Sequence, residues 1–387
     1  MEDQAFFYRD TWVEVDLDAV AENIKGMKTI LNEDAKMIAV VKANAYGHGD
    51  DQIAKTAIEL GASYLAVAFL DEAIALRKKG IEAPILVLGA SRPQDVNIAA
   101  KNKITLTVFH EDWLFDAKSY LKEELPLTIH IKIDSGMGRI GLKTQEELQR
   151  LEMIIKEDGR FVLEGVFTHF ATADEIDRSY YHQQLDVFNQ LIQALSEKPQ
   201  LIHASNSAAA LRGSEARFNA IRLGIAMYGL TPSLEMEPEI PYPLKEAFTL
   251  HSKLINVKKL HKGEKVSYGA TYEASDEEWI GTIPIGYADG WIRKLQGQVV
   301  LVDGIKVPIV GRICMDQCMI KLPYEVPVGT VVTLIGEQKN NKVSINDIAA
   351  RLETINYEVP CMISNRVPRI YKKFGKMVDM KNALLHY

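Results

Sequence analysis

The sequence is poor in cysteine and has no long apolar run, and each shortage excludes a class of protein. Among 387 residues there are three cysteines, Cys314, Cys318 and Cys361, which are too few for a disulfide framework and lack the paired spacing of a metal site. No apolar run approaches the ~18 residues of a membrane helix. Residues 1–10 include acids and lack the basic start and apolar centre of a signal peptide. We therefore expect a cytoplasmic protein without a structural metal.

Positive charge is not in excess either. The formal net charge is −7, which argues against a basic surface that holds nucleic acid or an anionic membrane. Two local basic stretches, 258–265 and 369–376, are predicted to be solvated surface. With 47% apolar and 25% charged residues the composition is that of an ordinary globular protein, and the length suits two domains or one large barrel with an appendage.

Short apolar runs alternate with amphipathic stretches between residues 36 and 223. Eight runs are predicted to be buried strands: 37–41, 64–68, 85–88, 104–108, 127–133, 162–168, 201–204 and 220–223. The predicted helices between them include 51–60, 71–79, 144–156 and 179–195. This alternation predicts an α/β fold, a (β/α)8 barrel of the TIM type over residues 14–243. A doubly wound open sheet would alternate similarly, but no G-x-G-x-x-G opens the first helix.

The pattern changes after residue 243. Short runs separated by turn signals predict a mainly β domain over residues 244–387, with one helix near 345–351. The predicted strands are 254–257, 279–283, 298–302, 307–310 and 331–335. An early alternating run at 12–17 is also predicted to be a strand, and residues 1–13 could pair with this domain rather than with the barrel.

A lysine ends the first predicted strand, in the run VVKANAYGHG at residues 40–49. Barrel enzymes carry their catalytic groups at the carboxyl ends of the strands. Burial at that point would lower the pKa of Lys42, and only a neutral amine attacks a carbonyl, as Schiff-base formation requires. The alternative is a lysine whose ammonium group simply reaches solvent.

Polar residues also follow the later predicted strands. His169 ends the sixth, His203 and Ser207 follow the seventh, and Arg222 and Gly224 close the eighth. The loops after strands seven and eight of a barrel often bind phosphate, and Ser207 opening a helix beside Gly224 fits such a site, although Ser207 could instead be an N-cap. Phosphate beside a Schiff-base lysine favours pyridoxal 5'-phosphate. A barrel aldolase acting on a phosphorylated sugar is the nearest alternative.

The run VVKANAYGHG resembles the cofactor-lysine segment of the alanine racemases, and further motifs match that family along nearly the whole chain. The resemblance implies a pyridoxal 5'-phosphate enzyme that interconverts L-alanine and D-alanine and supplies D-alanine for bacterial cell-wall peptidoglycan. It also implies a head-to-tail homodimer with shared active sites. In this family pattern Lys42 binds the cofactor and serves the D-side proton, and Tyr268, in VSYGA at 266–270, serves the L-side proton.

Two groups on opposite faces of a planar intermediate are what racemisation requires. A phenol with a pKa of ~10 is ionised in only about one molecule in a thousand at neutral pH, so a base at Tyr268 needs roughly 4 kcal/mol of help from cationic donors. The resemblance implies that His203 contacts Tyr268 and links it to Arg222. A plain packing role for Tyr268 is the alternative.

The resemblance assigns the remaining site residues. Arg222 would hydrogen-bond the cofactor's ring nitrogen; because guanidinium only donates, that nitrogen would stay unprotonated and transamination would be disfavoured. The other cofactor-binding residues would be Tyr46, His169, His203, Ser207, Gly224, Ile225 and Tyr357, with the two tyrosines near the phosphate. The substrate-binding residues would be Arg139, Tyr287, Met315 and Asp316. Lys132 resembles a lysine that is often carbamylated, whereas Cys314 has no assigned role.

Three alternatives remain at this point. A broader-specificity amino-acid racemase would share every motif. A barrel-type decarboxylase with the same cofactor would be expected to place a carboxylate, not Arg222, on the ring nitrogen. A non-catalytic pyridoxal-phosphate carrier would need only the barrel, and the segment around Tyr268 argues against it.

Overall fold

The computed structural model describes residues 7–385, which form two compact units. The first, called the barrel unit, comprises Ala19–Ala45 and Asp50–Lys245. The second, called the β unit, comprises residues 7–18, Tyr46–Gly49 and residues 246–385. Residues 14–18 and 46–49, which the sequence analysis included in the barrel range, therefore cluster with the β unit; residues 1–6 of the predicted pairing segment lie outside the described residues.

Eight parallel strands form the sheet of the barrel unit, as predicted. Each strand pairs with the next along the chain as far as the seventh, and the first also pairs with the eighth. Between the seventh and eighth, the backbone N–H of Arg222 donates to the carbonyl oxygen of Ser205 at 3.0 Å. The strands are Lys36–Val40, Tyr64–Val67, Ile85–Val87, Ile104–Val108, Leu127–Lys132, Phe161–Phe167, Leu201–His203 and Ala220–Leu223.

Helices connect these strands. They are Asp50–Glu59, Leu70–Lys78, Val96–Lys101, Glu111–Tyr120, Gln145–Lys156, Ser179–Ile192 and Ser207–Arg212, with Leu17–Ile30 ahead of the first strand. The start of Gln145–Lys156 follows from its cap: the Thr144 hydroxyl accepts from the N–H of Glu147, whose carboxylate accepts from the N–H of Thr144. Short 3₁₀ helices are Pro93–Asp95, Ile225–Tyr228 and Glu237–Glu239.

A left-handed turn, Lys42–Tyr46, follows the first barrel strand. Residues 43–46, none of them glycine, have φ between 52° and 53°. A left-handed conformation costs an L-residue roughly 1–2 kcal/mol, so outside contacts must hold it. The Glu72 carboxylate accepts from the N–H of Ala43 at 2.6 Å, and the Asn44 side chain accepts from the N–H of Asp50 at 3.1 Å. The turn after Lys42 is thus held by a side chain from another helix, Glu72, and by the bond that joins its own Asn44 to the next helix.

The β unit is built on a large mixed sheet. Its strands, in spatial order, are Asn256–Leu260, Glu278–Ile283, Cys318–Leu322, Ile305–Val310, Val299–Val302, Val331–Gln338, Phe248–Lys253, Thr11–Asp16, Arg369–Lys373 and Lys376–Lys381, with Asn341–Val343 beside Val331–Gln338. A separate ribbon joins Lys265–Val266 to Tyr272–Glu273. Its helices are Ile345–Leu352 and Glu358–Met362, with 3₁₀ turns at Tyr268–Ala270, Tyr287–Asp289 and Arg293–Leu295.

Two predictions in the β unit are wrong. The segment 254–257 is not one strand, because Phe248–Lys253 ends before it and Asn256–Leu260 begins inside it. Asn256–Leu260 is an edge strand that carries two lysines and is mostly accessible to solvent. It therefore has no apolar run from which its bounds could be predicted. The stretch from residue 369 is not all solvated surface either: Arg369 is 3% exposed, and its guanidinium donates to four carbonyl oxygens, among them that of Gly47.

Over residues 7–385, no helix combines the length and apolarity needed to cross a membrane. The three cysteines, all within the described residues, form no disulfide with one another.

Candidate active site

Lys42 lies where the first barrel strand gives way to the left-handed turn. The strand before it is buried over residues 37–40, and the lysine side chain is partly buried. The position at the carboxyl end of a barrel strand is the one predicted from the sequence.

Arg222 is 4% exposed and held from several sides. Its Nη1 donates to the carbonyl oxygen and to Nδ1 of His203, at 2.8 and 2.9 Å. Its Nη2 donates to the carbonyl oxygens of Thr168 and Ala204, at 2.8 and 2.9 Å, and lies 3.2 Å from Nδ1 of His169. None of the described residues accepts from Nε. Burial lowers the pKa of Arg222 to about 9, so the guanidinium is charged at neutral pH.

The predicted contact between His203 and Tyr268 is wrong. His203 is fully buried, and both of its ring nitrogens are already used: Nδ1 by Arg222, and Nε2 by Nδ1 of His130 at 3.0 Å. His169 differs, because it is partly exposed and only its Nδ1 bonds to Arg222. Nε2 of His169 has no hydrogen-bond partner among the described residues. His169 is therefore the histidine that can link Arg222 to a further group.

Four positive side chains act on His169. Burial holds the pKa of His169 well below its ordinary value, and Arg222, Lys132, Arg139 and Lys42 lower it further. The lysine and arginines predicted for the site are therefore gathered around one neutral imidazole. Such a group of cations favours an anionic ligand, even though the whole chain carries a net charge of −7.

Lys132 ends the fifth barrel strand and is 4% exposed. Its Nζ lies 4.4 Å from the ring centroid of Phe167. Burial, and then the charges of Arg222 and Arg139, hold its pKa well below the ordinary value, while Asp134 acts in the opposite direction. The neutral amine is thus easier to form at Lys132 than in an exposed lysine. Arg139 lies on the exposed loop that follows, where the Asp134 carboxylate accepts from the N–H groups of Gly136 and Gly138.

Ser207 and Gly224 lie together after the seventh and eighth strands. The N-cap of the short helix is Asn206, whose side chain accepts from the N–H of Ala209 at 3.0 Å, so Ser207 is the first helical residue and not the cap. The Ser207 hydroxyl accepts from the N–H of Gly224 at 2.9 Å, and Ile225 opens the next 3₁₀ turn. A hydroxyl and backbone N–H groups meet here, as an anion requires.

Three predicted site residues of the β unit are exposed: Tyr268 is 72% exposed, Met315 54% and Tyr287 40%. Oγ of Ser267, the residue before Tyr268, lies 3.6 Å from Sγ of Cys314, the residue before Met315. Backbone bonds hold the segments together, since the N–H of Tyr287 donates to Cys314 and that of Ala288 donates to Met315. A Cβ at Gly286 would lie 2.3–2.5 Å from those two carbonyl groups, so only glycine fits there. We call residues 268, 287 and 315 the aromatic patch.

The other predicted residues of the β unit have local partners. The ring centroids of Tyr46 and Tyr357 are 6.1 Å apart. Burial raises the pKa of Tyr46, so its hydroxyl is a neutral hydrogen-bond donor. Nη2 of Arg366 donates to the Asp316 carboxylate at 2.8 Å, which fixes that side chain beside Met315.

The sequence analysis missed His130 and Glu164, which extend the contacts of Arg222 through His203. Both lie on barrel strands, Leu127–Lys132 and Phe161–Phe167. A histidine and a glutamate in the middle of buried strands were a readable signal, because an inward-facing polar side chain must find a partner there.

Stability should fall below neutral pH because of these buried histidines. Burial lowers the pKa of His169 and of His203 well below the ~6.5 of an unfolded chain. As the pH drops from about 7 to about 5.5, these histidines become protonated in the unfolded state but stay neutral in the folded state. The free energy of unfolding should therefore decrease by about 1 kcal/mol per histidine. Urea unfolding at the two pH values measures this. The exposed His261 gives a control, since His261→Gln should keep the pH dependence, and an unchanged unfolding free energy in the parent chain would contradict the prediction.

The fold and the site define a barrel enzyme, with a lysine, an arginine and the turn that joins Ser207 to Gly224 at the carboxyl ends of its strands. The sequence profile of the alanine racemase N-terminal domain matches residues 15–232, and that of the C-terminal domain matches residues 247–371. The chain belongs to the alanine racemase family.

Individual relatives agree over nearly the full length. An alanine racemase of Geobacillus stearothermophilus is 60% identical over 378 residues, 98% of this chain and 97% of that protein. The crystal structure of an alanine racemase from Bacillus anthracis with bound L-Ala-P has a TM-score of 0.96 and 50% identity, covering 98% of this chain and 100% of that one. A histidine racemase from Leuconostoc mesenteroides has a TM-score of 0.89 and 33% identity, covering 95% and 99%.

Proposed function

We propose that the protein racemises alanine with pyridoxal 5'-phosphate, and that Lys42 and Tyr268 are its two proton-transfer groups. The observation that carries the proposal is Arg222, whose Nη atoms are both engaged by the barrel and whose Nε has no acceptor among the described residues. An arginine there can donate to a ring nitrogen and cannot protonate it fully, since guanidinium is a donor only and keeps its proton. Family membership and the relatives' names support the same reaction.

The residues of the barrel unit fit this cofactor. Its phosphate would be held where the Ser207 hydroxyl meets the N–H of Gly224 and the turn at Ile225, and its ring nitrogen by Arg222. Tyr46 and Tyr357 would add phenolic donors to the phosphate. When bound, pyridoxal phosphate supplies an aldehyde that joins to an amine and a conjugated ring that makes the Cα proton of the amino acid acidic.

Lys42 holds or moves the proton on one face of the substrate Cα, and Tyr268 on the other. Tyr268 needs cationic donors near its hydroxyl to act as a base, and the partly exposed His169 can provide one link, because its Nδ1 lies against Arg222 while its Nε2 is available. Arg139 would bind the substrate carboxylate, with the backbone N–H of Met315, for which no described residue provides an acceptor. Tyr287 and Asp316 would line the entrance.

Lys132 is proposed to carry a carbamate. Carbamylation requires a neutral amine to attack carbon dioxide and then to release one proton to solvent, and burial beside two arginines favours the neutral form of Lys132. The product is an anion, which would then lie among Arg139 and Arg222 and offset their mutual repulsion.

A head-to-tail homodimer would complete the site. Tyr268, Tyr287 and Met315 form an exposed apolar patch in the described chain, and exposed large apolar side chains grouped in this way mark contact surfaces. We propose that a second copy of the chain covers the aromatic patch and brings Tyr268 to the barrel of the first copy.

The second candidate, a racemase of broader specificity, is favoured by one finding. A histidine racemase shares the fold at 33% identity, so this architecture accepts a much larger side chain in that protein. The small substrate is therefore the part of the proposal that most needs a direct assay.

Following chirality over time tests both candidates. Starting from L-alanine, the purified protein with pyridoxal phosphate should approach equal amounts of the two enantiomers, and serine, lysine and histidine incubated in parallel should react far more slowly. Faster turnover of one of those three would favour the broader racemase. Release of carbon dioxide would indicate a decarboxylase, and no change in chirality would indicate a carrier.

A further inference from the structure

A chain of hydrogen bonds runs through the barrel interior from Arg222 to Glu164. Nη1 of Arg222 is 2.9 Å from Nδ1 of His203, and Nε2 of His203 is 3.0 Å from Nδ1 of His130. Nε2 of His130 is then 3.1 Å from Oε2 of Glu164. Both histidines are fully buried, whereas the Glu164 side chain is 23% exposed. We call these four residues the relay.

The direction of every bond in the relay can be assigned by starting from Arg222, and the carboxylate of Glu164 at the other end favours the same assignment. A guanidinium can only donate, so Nδ1 of His203 must be the acceptor and the proton of that ring must be on Nε2. Nε2 of His203 then donates to Nδ1 of His130, which places the His130 proton on its own Nε2. That proton is donated to the Glu164 carboxylate. Each ring can satisfy both neighbours only as the neutral Nε2–H tautomer.

The electrostatics of the relay agree with this assignment. Burial lowers the pKa of both His130 and His203, which keeps the rings neutral. The hydrogen bond from His130 lowers the pKa of Glu164, so its carboxylate is charged at neutral pH. The relay therefore joins a cation to an anion through two neutral imidazoles.

The barrel is shaped to admit the relay. A Cβ at Gly165 would lie 2.7 Å from the ring of His130, so a glycine is required beside the imidazole. The pairing of the fifth and sixth strands also shifts register between Ile129 and His130. On the other side Phe167 stacks on His203, with ring centroids 4.8 Å apart and an angle of 9° between the planes. The regular pairing of the fifth and sixth strands is thus interrupted next to His130, whose ring occupies the space beside Gly165.

Glu164 is itself held by a second chain. The Tyr64 hydroxyl donates to Oε2 of Glu164 at 2.7 Å, and Oγ1 of Thr105 is 2.5 Å from that hydroxyl. Because the proton of Tyr64 points to the carboxylate, Thr105 must be the donor of the shorter bond. One carboxylate oxygen thus accepts from two directions, which restricts its position.

We propose that Glu164 is a positioning residue for the reaction, which fixes the tautomers of His130 and His203 and through them the orientation of the Arg222 guanidinium. This inference rests on the proposed function, in which Nε of Arg222 faces the cofactor ring. Without an acceptor at position 164, the Nε2 proton of His130 has no partner, and only the bond from Arg222 to His203 still favours the Nε2–H tautomers. With the proton on Nδ1, His130 would oppose the N–H of His203, and Arg222 would lose an acceptor.

The test combines histidine NMR with kinetics on the full-length, cofactor-loaded protein. With ¹⁵N-labelled histidine, the native protein should show His130 and His203 as neutral Nε2–H tautomers with slowly exchanging ring protons. Glu164→Ala should shift His130 toward a mixture of tautomers and speed exchange at both rings. Glu164→Gln should keep both signals, because an amide oxygen can accept the same two bonds. The control is Glu152→Ala, which removes a buried carboxylate on the helix Gln145–Lys156 that accepts from the N–H of Ser196, and which should leave both signals unchanged.

The kinetic arm should follow the NMR. Glu164→Ala is expected to lower kcat by roughly 10- to 100-fold, by analogy with the loss seen when the partners that orient metal-bound histidines are removed. Glu164→Ala should also increase transamination, measured as the amount of pyruvate formed from alanine for each racemisation event, because Arg222 would be less well oriented. Glu164→Gln should restore kcat toward the native value.

Three results would overturn the inference: unchanged ring signals in Glu164→Ala, the same signal loss in Glu152→Ala, or an Nδ1–H tautomer or imidazolium in the native protein. The tautomers of the native protein can be measured without any variant, so that result tests the inference even if Glu164→Ala does not fold. Changed ring signals without additional pyruvate would support the positioning role and contradict the ring-nitrogen role proposed for Arg222.

Discussion

Lys42→Ala should abolish racemisation of alanine and the covalently held yellow cofactor together. The substitution removes both the amine that would join the cofactor aldehyde and a proton-transfer group, so we expect a loss of roughly 10⁴-fold or more in kcat. The left-handed turn should persist, since its anchors are the Glu72 carboxylate and the Asn44 side chain. Absorbance after desalting, and the rate of D-alanine formation, are the two measurements.

A matched control lies on the same strand. Lys36 begins the strand that Lys42 follows, at the opposite end of the barrel, and is only partly buried. Lys36→Ala should retain both colour and turnover. If Lys42→Ala stays yellow after desalting, or if Lys36→Ala loses colour equally, Lys42 does not hold the cofactor.

Tyr268→Phe should separate the two faces of the reaction. We expect proton abstraction from L-alanine to slow by roughly 10²–10⁴-fold, the usual contribution of one acid–base group, with cofactor binding little changed. Exchange of the Cα proton with deuterated solvent should continue from D-alanine, where Lys42 acts, and nearly stop from L-alanine. Tyr324→Phe, at another exposed tyrosine of the β unit, should exchange from both enantiomers normally. Equal loss of cofactor and of both exchange rates would point to a structural role instead.

The same two variants test the shared site. In a head-to-tail dimer with one Lys42→Ala chain and one Tyr268→Phe chain, one site would carry both defects and the other neither. Mixing the variants under conditions that exchange subunits should therefore recover up to about a quarter of the native activity, since half of the dimers are mixed and each has one intact site. Activity that stays at the level of the separate variants would place Tyr268 and Lys42 in the same chain's site.

The barrel could be predicted because most of its strands are buried along nearly their whole length; Phe161–Phe167, with an exposed Val162, is an exception. Runs such as Ile104–Val108, buried at every position, have no solvent-facing residue to interrupt the apolar pattern. The strands that were missed are half-exposed or lie at sheet edges. Cys318–Leu322 alternates between buried and partly buried positions, and Lys376–Lys381 is mostly exposed. Neither strand therefore contains a continuous apolar run that would predict it from the sequence.

Residue types and strand ends could be predicted for the site, whereas hydrogen-bond partners could not. The placement of Lys42 and Arg222 follows from where apolar runs stop. The sequence could not show which of His169 and His203 is able to link Arg222 to a further group. That depends on which ring nitrogens already have partners, and those of His203 are bonded to Arg222 and His130. An inward-facing contact between strands far apart in sequence leaves no periodic signal in one chain.

The position of Thr11–Asp16 in its sheet has a consequence for biosynthesis. This strand pairs with Phe248–Lys253 on one side and with Arg369–Lys373 on the other. The ribosome therefore synthesises the whole barrel unit before it synthesises either strand that pairs with Thr11–Asp16. The first strand can gain its partner Phe248–Lys253 only after the barrel unit has been made, and its partner Arg369–Lys373 only near the end of the chain. The barrel is therefore expected to fold first, and completion of the β sheet is expected to be the late, chaperone-sensitive step.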